Sequence, residues 1–257
     1  MPVPPGPARL TCLSWRAQPG LFAVAEAGAS KIAKEELRQH FTMAAPPGSQ
    51  GGKLAQALRG QVSYRQSKVV FADGGDLLHQ ARINCLLDGK SLVMPSPALK
   101  TGFFLLRPYT TPFKDLGQAV SLKGITGHGL SLTHEDLAGL AIDLAITQVV
   151  ALDSLGARLG DGNGFLDLAL AILAEYKALA PGWQLAALIG EQQLYEGELP
   201  KDEWDLLLDF AVAVGEEYLF SGRPEEPRVH WPALPQRRIR RLDLLWRLYD
   251  KNGAEPL

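Results

Sequence analysis

The sequence predicts an α/β protein of the three-layer α/β/α type, with a mainly parallel sheet covered by helices on both faces. Strand-like and helix-like segments alternate from Val69 to Val214, which is typical of parallel strands joined by crossover helices. In the middle of the chain, a nearly uncharged apolar segment is followed by a glycine-rich loop and a helical pattern. The length of 257 residues and the hydrophobic share of 46% suffice for one large core.

The central apolar segment Leu144–Leu152 has the length and β-branched content of a strand buried on both faces, and it ends at Asp153. A loop with four glycines follows, and the pattern after it predicts a helix of about four turns that stops before Pro181 and Gly182. A strand, a glycine loop and a helix in this order present backbone N–H groups to an anion, usually a phosphate. The alternative is a tight turn that uses glycine without binding anything.

Earlier segments predict helices and strands in turn. A helix with Ser30 as its N-cap would place Lys34 and Arg38 side by side, four residues apart. The further expectations are a short helix at 53–58, a strand at 68–72, a helix with Leu77, Ala81 and Cys85 on one stripe and Gly89 as its C-cap, and strands at 92–94 and 102–106. Residues 107–133 lack clear periodicity, which predicts a functional loop or an irregular cover.

Later segments predict a strand at 184–190, a further apolar run at 206–214, and a helix that begins at Pro235. Ile239, Leu242 and Trp246 would share one stripe of this helix. We therefore divide the chain into an irregular N-terminal arm at 1–29, an α/β domain at 30–220 and a C-terminal extension with a helix at 221–257.

The charge balance argues against a global attraction to nucleic acid or to an anionic membrane, because 26 basic and 28 acidic residues give a net charge of −2. We expect a small-molecule substrate, no nucleic acid and no membrane. The two cysteines lie far apart, and Cys85 falls in an apolar helical pattern, which favours a buried reduced thiol over a disulfide with Cys12. The N-terminus contains Pro2, Pro4, Pro5 and Pro7 and no continuous apolar signal-peptide core, and no uncharged run approaches the length of a membrane span, so we expect a cytoplasmic protein.

Several charged residues could be either functional residues or solvated surface side chains that bind nothing. His79 and Arg82 are expected on a solvated helix face, and His128 and His134 lack partners at the spacing of metal ligands. Lys34 and Arg38 could hold a phosphate or could be solvated beside two glutamates. In the C-terminal helix, a solvated face is favoured over an anion or RNA site for the four arginines, which are Arg237, Arg238, Arg240 and Arg241.

The run from Gly156 to Asp167 reads G-A-R-L-G-D-G-N-G-F-L-D and resembles the signature of the 5-formyltetrahydrofolate cyclo-ligase (methenyltetrahydrofolate synthetase) family, roughly G-x-R-L-G-x-G-x-G-Y-Y-D-R. The segment 34–38, K-E-E-L-R, resembles the K-x-x-L-R near the start of that family. The order of a glycine and lysine, a strand and a proline at 89–95 is also similar. The resemblance implies the fold type that the family shares with ribose-5-phosphate isomerase and the CoA-transferases.

The family reaction implied by this resemblance consumes ATP with Mg²⁺. ATP phosphorylates the formyl oxygen of 5-formyltetrahydrofolate, N10 attacks the activated carbon, and phosphate leaves to give 5,10-methenyltetrahydrofolate. The resemblance assigns catalytic roles to Arg158 and Lys34, ATP contacts to Lys34, Arg38, Arg158, Gly160, Gly162 and Gly164, substrate contacts to Phe165 and Leu166, and Mg²⁺ binding to Asp167 and Asp205. For Asp205, an aspartate that merely ends a helix or strand is the alternative.

The sequence departs from the family on the folate side. Leu166 replaces the second tyrosine, Leu168 replaces the arginine after the aspartate, and Asp161 and Asn163 stand where relatives often carry a lysine. We therefore expect nucleotide or phosphate binding with weak or absent turnover of 5-formyltetrahydrofolate. The tail resembles a paralogous branch with extended C-termini that has been associated with thiamine metabolism. A family member with another, thiamine-related or phosphorylated ligand and a non-catalytic binding protein on the same scaffold are the alternatives.

Overall fold

The computed structural model describes residues 27–41, 50–221 and 226–251. Its main feature is an eight-stranded sheet, in the order β11-β10-β8-β5-β1-β2-β3-β4. These strands are β1 (Val69–Ala72), β2 (Ser91–Pro95), β3 (Phe103–Leu106), β4 (Leu130–Ser131), β5 (Ile142–Gln148), β8 (Leu179–Leu188), β10 (Phe210–Ala213) and β11 (Glu216–Leu219). The five strands from β10 to β2 run parallel, and β3, β4 and β11 are antiparallel to their neighbours.

Helices cover both faces of the sheet, so the predicted three-layer class is confirmed. The helices are α1 (Ala27–Phe41), α2 (Gly51–Gly60), α3 (Val62–Gln66), α4 (His79–Leu87), α5 (Leu116–Ala119), α6 (Ile125–His128), α7 (His134–Ala138), α8 (Phe165–Glu175), α9 (Gln236–Arg241) and α10 (Asp243–Lys251). Alternate residues of each strand enter separate cores. Leu144 and Ile146 of β5 pack with α2 and α4, whereas Ala145 packs with α8 and α10.

The predicted strand 144–152 is two strands. β5 ends at Gln148, and the chain then leaves the large sheet and forms β6 (Ala151–Asp153) in a three-stranded sheet with β7 (Arg158–Leu159) and β9 (Leu194–Tyr195). The carbonyls of Val149 and Val150 accept from the amide side chain of Gln193 instead of continuing the ladder. β5 lies inside the large sheet, as predicted.

The helix after the glycine loop is shorter than predicted. α8 ends at Glu175, because Lys177 adopts a positive φ of 58° and the N–H of Ala178 bonds back to Leu173 at 2.8 Å. Pro181 and Gly182 are therefore part of β8 and not a stop after the helix. They lie where the pairing of β5 with β8 is irregular, which is a position that tolerates proline in a sheet.

Two helix boundaries also differ from the sequence prediction. α1 begins at Ala27, so Ser30 lies inside this helix and is not its N-cap. The C-terminal helix is broken at Leu242, whose extended backbone separates α9 from α10. By contrast, α2, α4 and the strands β1, β2, β3 and β10 lie where the sequence predicts them.

The segment 107–133 is an irregular cover with two short helices. Leu116, Val120 and Ile125 are buried in the core that α2 and α4 form with the sheet. Cys85 is a buried free thiol, as predicted, whereas Cys12 and most of the predicted N-terminal arm lie outside the described residues. Among the helices that are described, none is long and apolar enough to cross a membrane.

Candidate functional site

The candidate site lies at the carboxyl edge of the parallel strands. From β1 the chain continues to β2 on one side, and it later returns to β5, β8 and β10 on the other side. A crevice at such a reversal of strand order is the usual ligand site of an open α/β sheet. The glycine loop lies between α8 and β7, a strand of the small sheet that the chain enters after β5 ends.

Two arginines lie against the glycine loop, and one of them bonds to it. Arg38 donates from Nε to the carbonyl of Gly160 at 2.9 Å. A Cβ atom built on Gly162 would lie 3.1 Å from the guanidinium carbon of Arg38, and one on Gly160 would lie 3.5 Å from Nη1 of Arg158. Gly162 also has a φ of +89°. Only glycine fits at 162, because a side chain there would be strained and would displace the arginine.

One N–H of the loop is already used by a carboxylate. The exposed Asp161 accepts from the backbone N–H of Asn163 at 3.0 Å and from its side-chain amide at 2.9 Å. Gly164, with a φ of +60°, then forms the N-cap of α8. The loop therefore presents the N-terminus of a three-turn helix, where negative charge is favoured, next to a negatively charged side chain of its own.

The buried Arg158 is the central cation of the site. Its Nη2 donates to Asp167, whose same oxygen accepts from the N–H of Leu206 at 3.1 Å. Its Nε is buried and has no partner among the described residues. Burial alone lowers the pKa of Arg158, but Asp167 and Asp205 outweigh it and raise that pKa above its usual value. The guanidinium is thus charged and lies in a negative environment.

Lys34 bridges two aspartates. Its ammonium group donates to Asp202 at 2.6 Å and also to Asp205, and the N–H of Asp202 donates to Asp205 at 2.8 Å. The lysine side chain is only 8% exposed. Burial raises the pKa of Asp205, against the lowering effect of Lys34. Asp167 also raises it, which shows that these two carboxylates interact electrostatically.

α1 reaches the site through a small apolar cluster. Phe41 and Leu37 on this helix pack with Leu159 of β7 and with Leu199. This packing holds α1 against the three-stranded sheet, so that Lys34 and Arg38, one turn apart, point at the site. Segments separated by 122 positions in the chain are thereby brought into contact.

The sequence analysis does not single out Asp202, and it favours a solvated helix face for Arg238. Asp202 stands three positions before the predicted Asp205, and this spacing of two carboxylates is the signal that could have found it. Arg238 donates to the carbonyl of Asn163 at 3.0 Å and lies 5.0 Å from the ring centroid of Phe165. The expectation that it is solvated is wrong, whereas Arg237, Arg240 and Arg241 are exposed as predicted.

A second polar cluster follows β1. Arg82 is 1% exposed and donates to the carbonyls of Asp73 and Gly75 at 2.6 and 3.0 Å. The expectation of a solvated Arg82 is therefore wrong, and His79 is half-buried with Nε2 2.9 Å from the carbonyl of Gly117. Burial raises the pKa of Asp73, whose carboxylate accepts from the hydroxyl of Thr147.

Within the described ranges, no three His, Cys, Asp or Glu side chains are grouped so that they could hold a metal ion by themselves. Asp167 and Asp205 could hold Mg²⁺ only together with ligand oxygens, which is the usual way in which Mg²⁺ binds beside a nucleotide.

The sequence matches the profile of the 5-formyltetrahydrofolate cyclo-ligase family over residues 31–214. It is 23% identical over 191 residues to the zebrafish (Danio rerio) methenyltetrahydrofolate synthase domain-containing protein, covering 72% of this chain and 49% of that protein. With the human protein of the same name it shares 24% over 172 residues, covering 65% and 44%. The chain therefore spans about half the length of these relatives.

A shorter match with higher identity is to the Escherichia coli 5-formyltetrahydrofolate cyclo-ligase, 39% identical over 71 residues, which cover 28% of this chain and 36% of that enzyme. Among solved structures, the Aquifex aeolicus 5,10-methenyltetrahydrofolate synthetase aligns with a TM-score of 0.48 and 19% identity, over 78% of this chain and 98% of that one. The family profile covers well over half of the sequence. This protein belongs to the 5-formyltetrahydrofolate cyclo-ligase family.

Proposed function

We propose that this protein binds Mg·ATP at the glycine loop and uses it in the cyclo-ligase reaction of its family, the conversion of 5-formyltetrahydrofolate to 5,10-methenyltetrahydrofolate. The observation that carries this proposal is the proximity of Arg38 and Arg158 to the loop, with Lys34 one turn before Arg38 and bonded to Asp205. Cations from distant segments, exposed N–H groups and a helix N-terminus together favour a polyanion such as a triphosphate.

The charges of the site favour ATP in its magnesium complex over free ATP. Three cations, Lys34, Arg38 and Arg158, stand against three carboxylates, Asp167, Asp202 and Asp205. Such a site is close to neutral and offers little net attraction to a free triphosphate. A divalent cation held by Asp167 and Asp205 would leave a surplus of two positive charges and would release Lys34 and Arg158 toward the phosphates.

The buried, unpartnered Nε of Arg158 supports this exchange. A buried donor without an acceptor costs about 1–3 kcal/mol. A small rotation of the guanidinium toward a phosphate oxygen would satisfy this donor, and a bidentate contact to phosphate is the geometry that arginine prefers. We infer that the pair of Arg158 with Asp167 is the resting state of a group that turns to the ligand.

In the family reaction, bound Mg·ATP supplies the phosphoryl group that activates the formyl oxygen. For this step the protein provides position and charge rather than a nucleophile. Lys34 and Arg158 would stabilise the charge that develops on the transferred group, Arg38 would hold the loop, and Phe165 with Leu166 would face the folate. The names of the relatives, which refer to methenyltetrahydrofolate synthesis, support this substrate class.

We expect the turnover of 5-formyltetrahydrofolate to be slow, because Leu166 offers no aromatic face for stacking on a flat ring. Leu168, which stands where the family has an arginine, supplies no cation, and we expect this to slow turnover further. Its side chain is 7% exposed and belongs to the main core.

Titration calorimetry with ATP, in the presence and absence of Mg²⁺, tests the nucleotide half of the proposal. We expect binding that depends on Mg²⁺. The absorbance of the methenyl product, with saturating Mg·ATP and 5-formyltetrahydrofolate, tests the folate half. Mg·ATP binding without any product would refute the folate reaction, and an absence of binding under both conditions would refute the nucleotide site.

A further inference from the structure

The C-terminal helix α9 lies beside the glycine loop, although it is outside the part of the chain that matches the family profile. Ile239 at its centre is 2% exposed and joins the main core, together with Leu242, Leu245 and Leu248. Tyr176, just after α8, donates to the carbonyl of Leu244 at 3.0 Å. The core therefore fixes the position of α9 relative to α8 and to the loop that precedes α8.

This packing brings one of four arginines to the loop. Arg238 is half-buried, donates from Nη2 to Asn163 at 3.0 Å, and stacks its guanidinium over Phe165. Arg237, Arg240 and Arg241 are exposed and line a groove of about 500 Å³ elsewhere on the helix. Arg238 differs from the other three arginines only in the direction in which its side chain leaves α9. The packing of the helix, and not the residue type, therefore places Arg238 at the loop.

The two ends of the loop are held by different arginines. Arg38 bonds the carbonyl of Gly160 at the start, and Arg238 bonds the carbonyl of Asn163 at the end. A guanidinium has five N–H donors in one plane, and the contact of Arg238 to Asn163 uses one of them. A cation held at the entrance to the N-terminus of α8, with further donors in the same plane, is a phosphate-binding arrangement.

We propose that Arg238 is a phosphate-binding residue of the nucleotide site and that the C-terminal extension thus completes this site. This inference rests on the proposed function, since it assigns a further residue to the same site. The ligand chemistry is a phosphate group of a triphosphate chain. Arg238 would meet it from the side of α9, whereas Lys34, Arg38 and Arg158 meet it from α1 and β7.

The experiment compares three variants by calorimetric titration with Mg·ATP and, separately, with inorganic triphosphate. Arg238→Gln keeps an N–H donor for the carbonyl of Asn163 but removes the charge, and Arg238→Ala removes both. Arg240→Ala is the matched control, because it removes the same charge from the same helix about 200° away around the axis. Thermal unfolding of each variant shows whether the fold is intact.

We expect both Arg238 variants to bind Mg·ATP and triphosphate about ten- to a hundredfold more weakly, as for the loss of a charge-assisted contact, and Arg240→Ala to stay within about threefold. Wild-type affinity in Arg238→Gln alone would show that the residue only positions the loop and would overturn the proposal. An equal loss in Arg240→Ala would also overturn it, since bulk charge would then explain the effect.

The two probes separate this inference from the proposed function. If the wild-type protein binds triphosphate but not Mg·ATP, the nucleotide proposal fails while the role of Arg238 is still decided by the triphosphate titration. If the wild-type protein binds neither probe, both proposals are wrong.

Discussion

Two buried arginines at the same edge of the sheet use their hydrogen bonds differently. Arg82, 1% exposed, donates to the main-chain carbonyls of Asp73 and Gly75. Arg158, 9% exposed, donates to the side chain of Asp167. In both residues the Nε atom is buried, and it finds no partner within the part of the chain that is described. The burial of the two groups is alike, and their acceptors are not.

The acceptor decides what each arginine can do. A main-chain carbonyl cannot turn away without moving the backbone, so Arg82 clamps the loop after β1 in one conformation. A carboxylate can rotate or exchange its cation for Mg²⁺, so Arg158 can leave Asp167 when a phosphate arrives. We therefore expect substitutions at Arg82 to change stability and those at Arg158 to change ligand binding.

The largest effect is expected for Arg82→Ala. The substitution leaves the carbonyls of Asp73 and Gly75 without their donor, removes a cation beside the half-buried Asp73 carboxylate and opens a cavity. We expect a loss of about 3–5 kcal/mol in the free energy of unfolding. Urea unfolding measures it. Arg65→Ala, at an exposed arginine of α3, is the control and should cost less than about 0.5 kcal/mol. A loss below 1 kcal/mol in Arg82→Ala would contradict the clamp.

The next effect is on ligand binding, in Arg158→Ala. If Arg158 turns to a phosphate, its loss should weaken Mg·ATP binding by about 2–3 kcal/mol, or thirty- to 150-fold. Arg158→Lys keeps the charge without the planar fork and should recover part of this loss. Folded Arg82→Ala, measured well below its unfolding temperature, should bind within about threefold of the wild type. An equal loss of Mg·ATP affinity in Arg82→Ala and Arg158→Ala would contradict the proposed difference between the two arginines.

The contrast between the arginines also shows where sequence reasoning stops. Arg158 and Asp167 belong to one run of twelve residues whose types and order indicate an anion site. Arg82 is a charged residue outside the apolar stripe of Leu77, Ala81 and Cys85, and this position predicts a solvated side chain. Its burial depends on the loop at 73–75, which folds back over the helix and offers two carbonyls to the guanidinium.

Long-range packing explains the other differences between the sequence-based predictions and the structure. Arg238 has three arginine neighbours in the sequence, and only the burial of Ile239 decides which of the four faces the loop. The valines at 149 and 150 favour a continuous strand, and the break comes from Gln193, more than forty positions later. The alternating strands and helices could be predicted because their periodicity is local to each element.

A smaller effect concerns pH, with one carboxylate from each cluster. Burial raises the pKa of both Asp73 and Asp205 in the folded protein. The folded state therefore keeps these protons to a higher pH than the unfolded state. The contribution of these raised pKa values to the free energy of unfolding is fully present below the ordinary aspartate pKa of about 4. It is lost as the pH rises through the raised pKa of the folded state, at up to about 1.4 kcal/mol per pH unit for each group.

Asp73→Asn and Asp205→Asn should each flatten this decline, which urea unfolding over a series of pH values from 4 upward would show. Only Asp205→Asn should also reduce the stabilisation of the protein by Mg·ATP, because Asp73 is bonded to Thr147 and to loop N–H groups and not to Lys34. A pH profile unchanged in both variants would contradict the raised pKa values. A loss of Mg·ATP stabilisation in Asp73→Asn would show that the two clusters act as one site.

The smallest effect is expected on the substrate side of the Arg158 cluster, in Leu166→Tyr. Leu166 is half-buried in the first turn of α8, next to Phe165, and its side chain partly packs against the main core. A tyrosine ring there would add an aromatic face for the folate, worth about 0.5–1.5 kcal/mol in stacking, so kcat/KM for 5-formyltetrahydrofolate should rise about two- to twelvefold. The rate of methenyl product formation measures this, and calorimetry should give an unchanged affinity for Mg·ATP, since the phosphate contacts are elsewhere.

Leu170→Tyr is not a usable control because Leu170 is fully buried, whereas the exposed Leu155→Tyr adds the same ring away from α8. If Leu155→Tyr raises kcat/KM as much as Leu166→Tyr, or if Leu166→Tyr has no effect on a measurable rate, the first turn of α8 does not contact the folate and the substrate must bind on another side of the arginine.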